Sequence, residues 1–252
     1  MPILEKAAVT YPYLEVLLPI LQQAFETQKD VLDAVADRMA EVVAGDHLLY
    51  VFGAGHAGII AEEMFYRAGG LVPVVPLFGP GLLTSTHPAT LETQLERLSG
   101  YAALLLDASA ITSQDLLIIH SNSGRNTVAI EMAEEAHKRG ITVVALTSVA
   151  HSRSVTSRHP RGLKLMDLAD YVIDNCGVVG DAAVELDGAP QRVGSTSTVV
   201  GATLMNALVV ETTRRLLDKG CEAPIFRSAN VDGSEASNQR WMEHYGSRLS
   251  YL

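Results

Sequence analysis

The sequence predicts an α/β fold built on a parallel, doubly wound sheet. Three observations carry this reading. Short apolar runs alternate with stretches of helical periodicity between residues 47 and 174, the pattern of strands joined by helical crossovers. The first run closes in the glycine turn Gly53-Ala-Gly-His-Ala-Gly58, and hydroxyl-rich loops recur at later strand ends or helix starts. Ligands of such sheets bind at the carboxyl ends of the strands.

Each element follows from its local pattern. From about Tyr13 to Val43 the residues Leu14, Leu17, Leu18, Leu21, Phe25, Leu32, Val35, Met39 and Val42 recur at helical spacing, giving one long helix or two in line. A strand at 47–52 then runs through the glycine turn into a helix at 57–68. A strand at 71–75, a Pro/Gly-rich connection and a helix from 91 to 99 or beyond follow. The next units are a strand at 115–120, a helix at 126–139, a strand at 141–146 and, after a looped stretch, a short strand at 171–174. Asp187-Gly188 between short apolar runs predicts a hairpin over 183–193. A last long helix spans 197–218.

A chain of 252 residues, 48% of them hydrophobic, is long enough to bury a sizeable core. A formal charge of −10 and a pI near 5.2 argue against nucleic acid and against a membrane surface, since both attract basic fields. An anionic ligand must then be held by local donors. Cys176 and Cys221 have no metal spacing, and so few cysteines suit a reducing compartment. With Glu5, Lys6 and Glu15 among its apolar residues, the amino terminus has no signal-peptide pattern, and no 18-residue apolar run exists. The expectation is a cytoplasmic protein with a helical extension at 1–44, a ligand-binding domain at 45–220 and a segment at 221–252 packed on it. The apolar stripe of the first helix suits a partner subunit, so a homodimer or higher homo-oligomer is expected.

The glycine turn has the spacing G-x-G-x-x-G, yet two nucleotide readings fail. A dinucleotide site needs an acidic residue about 20 positions on, and none lies between Glu63 and Glu92. A Walker loop needs Lys where Ile59 stands. What remains is a tight turn whose helix amides suit an anion, with Gly55 at its centre. Ser121-Asn-Ser-Gly-Arg-Asn126 follows the strand at 115–120 and leads into a helix. Hydroxyls and helix amides at one turn suit a phosphate, although helix capping alone explains one such loop. Thr147-Ser148 and Gly194-Ser-Thr-Ser-Thr198 end or open two further elements, and capping does not account for all three together.

The segments "VFGAGHAG", "IIHSNSGRN", "VVALTS" and "VGSTSTVVGAT" stand in order. With this set the chain resembles the sugar isomerase (SIS) family of phosphosugar-binding domains across about residues 45 to 215. Through "EEMFYRAGGLVPV", "SNSGRN" and "ANVDG" it resembles more narrowly a branch of SIS proteins of about this length. The resemblance implies a flavodoxin-like sheet of five strands, a phosphosugar at its carboxyl edge and a dimer. It puts Ser121, Asn122, Ser123, Gly124, Arg125 and Asn126 on the phosphate loop, where Thr is commoner than Asn at the last position. Thr147, Ser148, Ser195 and Thr196 fall on neighbouring ligand segments. A partial likeness to N-acetylmuramic acid 6-phosphate etherases rests on "GAGHAG", "SGR" at 123–125 and Gly194-Ser-Thr with Gly201. Those enzymes carry a catalytic Glu where this chain has Arg67, with Glu63 one turn earlier.

Isomerising an aldose phosphate and eliminating a substituent at C3 both begin with removal of the proton next to a carbonyl, by a base poised near neutrality. Glu62 and Glu63 lie on the helix that starts at the glycine turn. Successive helical residues point about 100° apart, so one of the two faces the ligand. The etherase likeness favours Glu63, against the plain alternative of two solvated charges. His56, inside the glycine turn, suits a proton shuttle or simply packs beneath it. His120 is read as a satisfied core residue, Asp181 and Glu185 as turn residues. The basic group His151, Arg153, Arg158, His159 and Arg161 reads as a solvated loop, and Glu211, Arg214 and Arg215 as a solvated helix face. No HxxxH, HExxH or nucleophilic triad is present, so neither a metal nor another cofactor is expected. The leading expectation is an aldose-ketose isomerase acting on a sugar 6-phosphate. The alternatives are an elimination lyase for an N-acyl amino sugar 6-phosphate and a non-catalytic phosphosugar sensor.

Overall fold

A computed structural model of the chain describes residues 11–252; Glu5, Lys6 and the rest of the first ten residues of the extension lie outside the described residues. The expected amino-terminal helix is two helices, α1 (Pro12–Thr27) and α2 (Lys29–Ala44), separated by Gln28 alone. Pro12 opens α1, where a missing amide proton costs nothing. The sheet region follows with β1 (Leu49–Gly53), a 3₁₀ turn at His56–Gly58, α3 (Ile59–Met64), β2 (Val74–Pro76), α4 (Ala89–Leu95) and α5 (Tyr101–Asp107). Next come β3 (Leu116–His120), α6 (Thr127–Lys138), β4 (Thr142–Thr147), α7 (Val149–Ser154) and β5 (Tyr171–Asp174). The hairpin β6 (Ala182–Val184) and β7 (Val193–Ser195), the long α8 (Ser197–Asp218) and α9 (Glu235–Tyr245) complete the chain.

The five-stranded sheet has the order β2-β1-β3-β4-β5, and every pairing in it is parallel. This is the flavodoxin-like order, whose chain direction across the sheet reverses between β1 and β3. Helices cover both faces because strand residues alternate between two cores. Leu49, Val51, Leu116, Ile118, Val144 and Leu146 face α2, α3 and α8, where they meet Met39, Ile60, Leu204 and Leu208. Tyr50, Phe52, Leu117, Ile119, Val143 and Ala145 face the other way, onto Leu106, Met132 and Ala133, with Phe226, Tyr245 and Leu249 of the carboxyl-terminal segment.

Two local expectations are corrected. The helix read as 57–68 stops at Met64, because Phe65 turns extended and Tyr66 takes a positive φ of 42°. Phe65 packs edge-on against Phe78 and Tyr251, and Tyr66 against Phe226; tertiary packing of aromatic rings outweighs helix propensity here. Arg215, read as solvated, is mostly buried and ties α8 to α2 through Asp33 and Asp37, at 2.8 and 2.5 Å. A paired guanidinium can be buried where a lone one cannot.

Candidate active site

A cavity of about 450 Å³ opens at the carboxyl ends of β1 and β3, where the sheet order reverses. The glycine turn forms one wall. A Cβ on Gly53 would meet the Ala57 carbonyl oxygen at 2.4 Å, so only glycine lets the turn fold back on the end of β1. Gly55 has a φ of +59°, and a Cβ there would come within 3.0 Å of Glu92 Oε1. The bare backbone at Gly55 thus faces the Glu92 carboxylate of α4 across the cavity wall.

The loop 121–126 forms the opposite wall, with Ser121, Asn122, Ser123 and Asn126 lining the cavity. Its shape is held from behind. Gly124, at φ +56°, donates its amide to the Ser121 carbonyl at 3.1 Å. The Asn122 carbonyl accepts from the Ser148 amide and from Thr147 Oγ1 at 3.1 Å, while Asn175 Nδ2 donates to Asn122 Oδ1 at 2.9 Å. Arg158 Nη1 donates to Asn126 Oδ1 at 2.5 Å. The result is a rigid donor-rich turn at the start of α6, suited to an anion.

Ionisable side chains complete the cavity: Glu92 and Glu96, one turn apart on or just beyond α4, with His56, His120, His151 and Asp181. Burial raises the pKa of Glu92, against the lowering effects of a bond from Thr93 and of nearby His56. Glu96 is raised first by burial and then by the charge of Glu92. Glu92 Oε1 is buried and has no partner among the described residues. His120 is buried, and desolvation pushes its pKa down to about 4. Its Nδ1 lies 3.1 Å from the Ala57 carbonyl oxygen, while Nε2 has no partner. Burial also lowers His151, whose Nδ1 accepts from the Gly180 amide at 3.2 Å. Among the described residues no cluster of His, Cys, Asp and Glu could hold a metal ion.

A family model described as the SIS domain matches residues 12–148. The chain is a SIS-domain protein. Within that family it belongs with the UPF0309 proteins. One from Shouchella clausii is 44% identical over 240 residues, 95% of this chain and 98% of that one. One from Streptomyces coelicolor is 40% identical over 240 residues, 95% and 96% of the two chains. Two solved structures share the fold at low identity. A phosphoheptose isomerase from Francisella tularensis is 16% identical with a TM-score of 0.53, covering 80% of this chain and 95% of its own. The Vibrio vulnificus NanR protein complexed with ManNAc-6P is 20% identical with a TM-score of 0.52, covering 92% and 67%.

In this SIS domain the residues expected at the site divide into two groups. Gly55, His56, Ser121, Asn122, Ser123 and Asn126 line the cavity together. Thr147, Ser148 and Gly124 buttress the loop from behind, and Arg125 turns aside to Thr156, 3.2 Å from its Nη2. The expected place of Glu63 in the crevice is corrected: it pairs with Arg67 and accepts from Asn206 Nδ2 at 2.8 Å, on the α8 side. Glu62 is exposed and does not line the cavity either. Both miss because α3 begins only after the 3₁₀ turn and packs its Ile60 and Met64 face into the core. Ser195 and Thr196 are corrected likewise. Ser197 is the residue of that segment that lines the cavity, while Asp181 Oδ1 takes the Thr196 and Ser197 amides at 3.1 and 2.8 Å and the Ser195 carbonyl accepts from Tyr13. The basic group splits, with His151 in the cavity and Arg161 and His159 paired to Glu134. The sequence reading passed over Glu92 and Glu96. Their signal was two acids one turn apart on the helix that follows the Pro/Gly-rich connection.

Proposed function

We propose that the protein binds a sugar 6-phosphate and removes the proton next to its carbonyl, most simply as an aldose-ketose isomerase. The observation that carries this reading is one cavity with an anion-binding turn on one wall and a desolvated, unpartnered Glu92 oxygen on the other. Ser121, Ser123 and the amide end of α6 hold the phosphate. Glu92, raised toward neutrality by burial, takes the proton from C2 and returns it at C1. Glu96, raised by burial and by the charge of Glu92 against a lowering bond with Asn126, is the second carboxyl of that wall. Glu96 can serve the sugar oxygens while Glu92 serves carbon. The SIS domain and its structural neighbours, a phosphoheptose isomerase and a ManNAc-6P complex, support a phosphosugar as the ligand class.

We read the protein as cytoplasmic and homodimeric. Among the described residues no helix is long and apolar enough to cross a membrane. A groove of about 330 Å³ between α1, α2 and α8, lined by Phe25, Leu32, Leu208 and Val210, supports coverage by a second copy.

The test is incubation with a panel of sugar 6-phosphates in deuterated water, followed by NMR. Deuterium is expected at C2 of at least one sugar, and Glu92→Gln is expected to slow its entry by ~10²- to 10⁴-fold with affinity little changed. Elimination begins with the same exchange and is recognised by loss of the C3 substituent. Native protein that binds a sugar phosphate but exchanges no proton would leave a sensor in place of an enzyme.

A further inference from the structure

His120 closes the inner end of the cavity from the last position of β3. Its ring is only 1% exposed, which leaves it neutral. The contact of Nδ1 with the Ala57 carbonyl, at 3.1 Å, joins a ring nitrogen to an atom that can only accept, so the proton sits on Nδ1. Nε2 is then a bare acceptor. It is buried, and no donor among the described residues meets it.

Native folds pair nearly all of their buried polar atoms, so an orphan acceptor in a cavity wall points to a donor brought by the ligand. At the start of α8 the Ser197 donors are already committed. Ser197 Oγ gives its proton to Asp181 Oδ2 at 2.6 Å, and the Ser197 amide goes to Asp181 Oδ1 at 2.8 Å. The Ser148 hydroxyl donates to the Gly177 carbonyl at 2.7 Å. Glu92 Oε1, the other orphan in this cavity, is also an acceptor. At these two points the wall therefore favours hydroxyl or amine protons from a ligand.

We propose that His120 is a specificity-determining residue whose Nε2 accepts a hydrogen bond from one hydroxyl of the bound sugar. The inference rests on the phosphosugar reading above and deepens it: the preferred substrate carries a free hydroxyl at the carbon that meets His120. Because Nδ1 is locked on Ala57, the ring cannot flip its tautomer to donate instead. An analogue lacking that hydroxyl, or carrying it as an ether, strands a buried acceptor. Such losses are large when a site is built around a polar contact.

The experiment is a thermodynamic cycle by calorimetry. The probes are inorganic phosphate, the 6-phosphates of glucose, mannose and galactose, and deoxyglucose 6-phosphates lacking one hydroxyl at C2, C3 or C4. For the native protein one missing hydroxyl is expected to cost about 10- to 100-fold in affinity. In His120→Asn, whose side-chain amide still reaches the Ala57 carbonyl but has nothing at Nε2, the parent sugar should weaken to the level of that deoxy analogue. The penalty for the missing hydroxyl should then vanish, with inorganic phosphate binding unchanged. His120→Gln, which returns an acceptor near the Nε2 position, should restore part of the discrimination, and it serves as the second variant if His120→Asn folds poorly. A purely structural role would also leave the ¹⁵N resonance of Nε2 unmoved on adding glucose 6-phosphate, whereas the proposed bond shifts it and leaves Nδ1 in place. Equal deoxy penalties in native protein and His120→Asn would overturn the assignment while leaving the phosphosugar reading intact. Native protein that binds inorganic phosphate but none of the sugar phosphates would overturn both.

Discussion

Burial holds His120 neutral down to a pKa of about 4, against an ordinary value of 6.5. Above pH 6.5 the ring is neutral in the folded and unfolded chains alike, so it adds no pH dependence there. As pH falls through 6.5 the unfolded chain takes up a proton that the folded chain refuses until about 4, so the fold loses stability across that window. The loss is roughly 3 kcal/mol at about 1.4 kcal/mol per pH unit. His120→Asn is expected to remove this part of the acid sensitivity. Urea unfolding of the two proteins at about pH 7 and about pH 4.5 checks it, since the linkage relation ties the slope to proton uptake. Equal losses in both proteins would show that His120 is not the group refusing the proton. At the same scale, Glu92 and His120 illustrate how a site is recognised physically: each is a buried acceptor in the cavity wall with no partner among the described residues.

At the scale of elements, Asp181 joins the hairpin to the longest helix. It stands one residue before β6 with a φ of +67° and takes two amides and two hydroxyls at the start of the 22-residue α8. The helix terminus that looked free for an anion is therefore closed by the chain's own carboxylate. Asp181→Ala is expected to cost about 1–2 kcal/mol, as loss of an N-cap does, and more if the buried Ser197 groups stay unpaired. Chemical denaturation measures it. A change within a few tenths of a kcal/mol, the scatter of ordinary surface substitutions, would remove Asp181 as the link. The shortened α3 makes a related point. Its end is decided by where Phe65 and Tyr66 find aromatic partners, while the burial of Ile60 and Met64 leaves Glu63 on the side of Asn206.

At the scale of the whole molecule, α1 and α8 present an exposed apolar stripe among the described residues. Leu18 is 51% exposed on α1 and Val210 65% exposed on α8, beside the groove that holds Phe25 and Leu32. The inner stripe of the same helices is spent on the chain's own core, with Leu17, Ile20 and Leu204 buried. A second copy is expected to cover the outer stripe, so Val210→Arg should shift the protein toward monomer by placing an unpaired charge in the interface. Light scattering at micromolar concentration reads this directly. A monodisperse native monomer would end the dimer reading.

The alternation of strands and helices was legible from residues 47 to 218 because periodicity is a local property. The strand at 171–174 and the helix at 197–218 stand where their patterns put them. The donor loop 121–126 was legible for the same reason, since hydroxyl side chains between a strand and a helix are visible without any partner. What the linear pattern left open is the direction in which each acid and each ring points. His120 is half satisfied only because Ala57, distant in the chain, lies beneath it. Arg215 is buried only because Asp33 and Asp37 arrive from the other end of the chain. Glu92 enters the site beside Gly55, which lies on a different element and carries no side chain against its carboxylate. Periodicity assigns a residue to a face of its own element, but the cavity is made where elements remote in sequence meet, and only packing decides that.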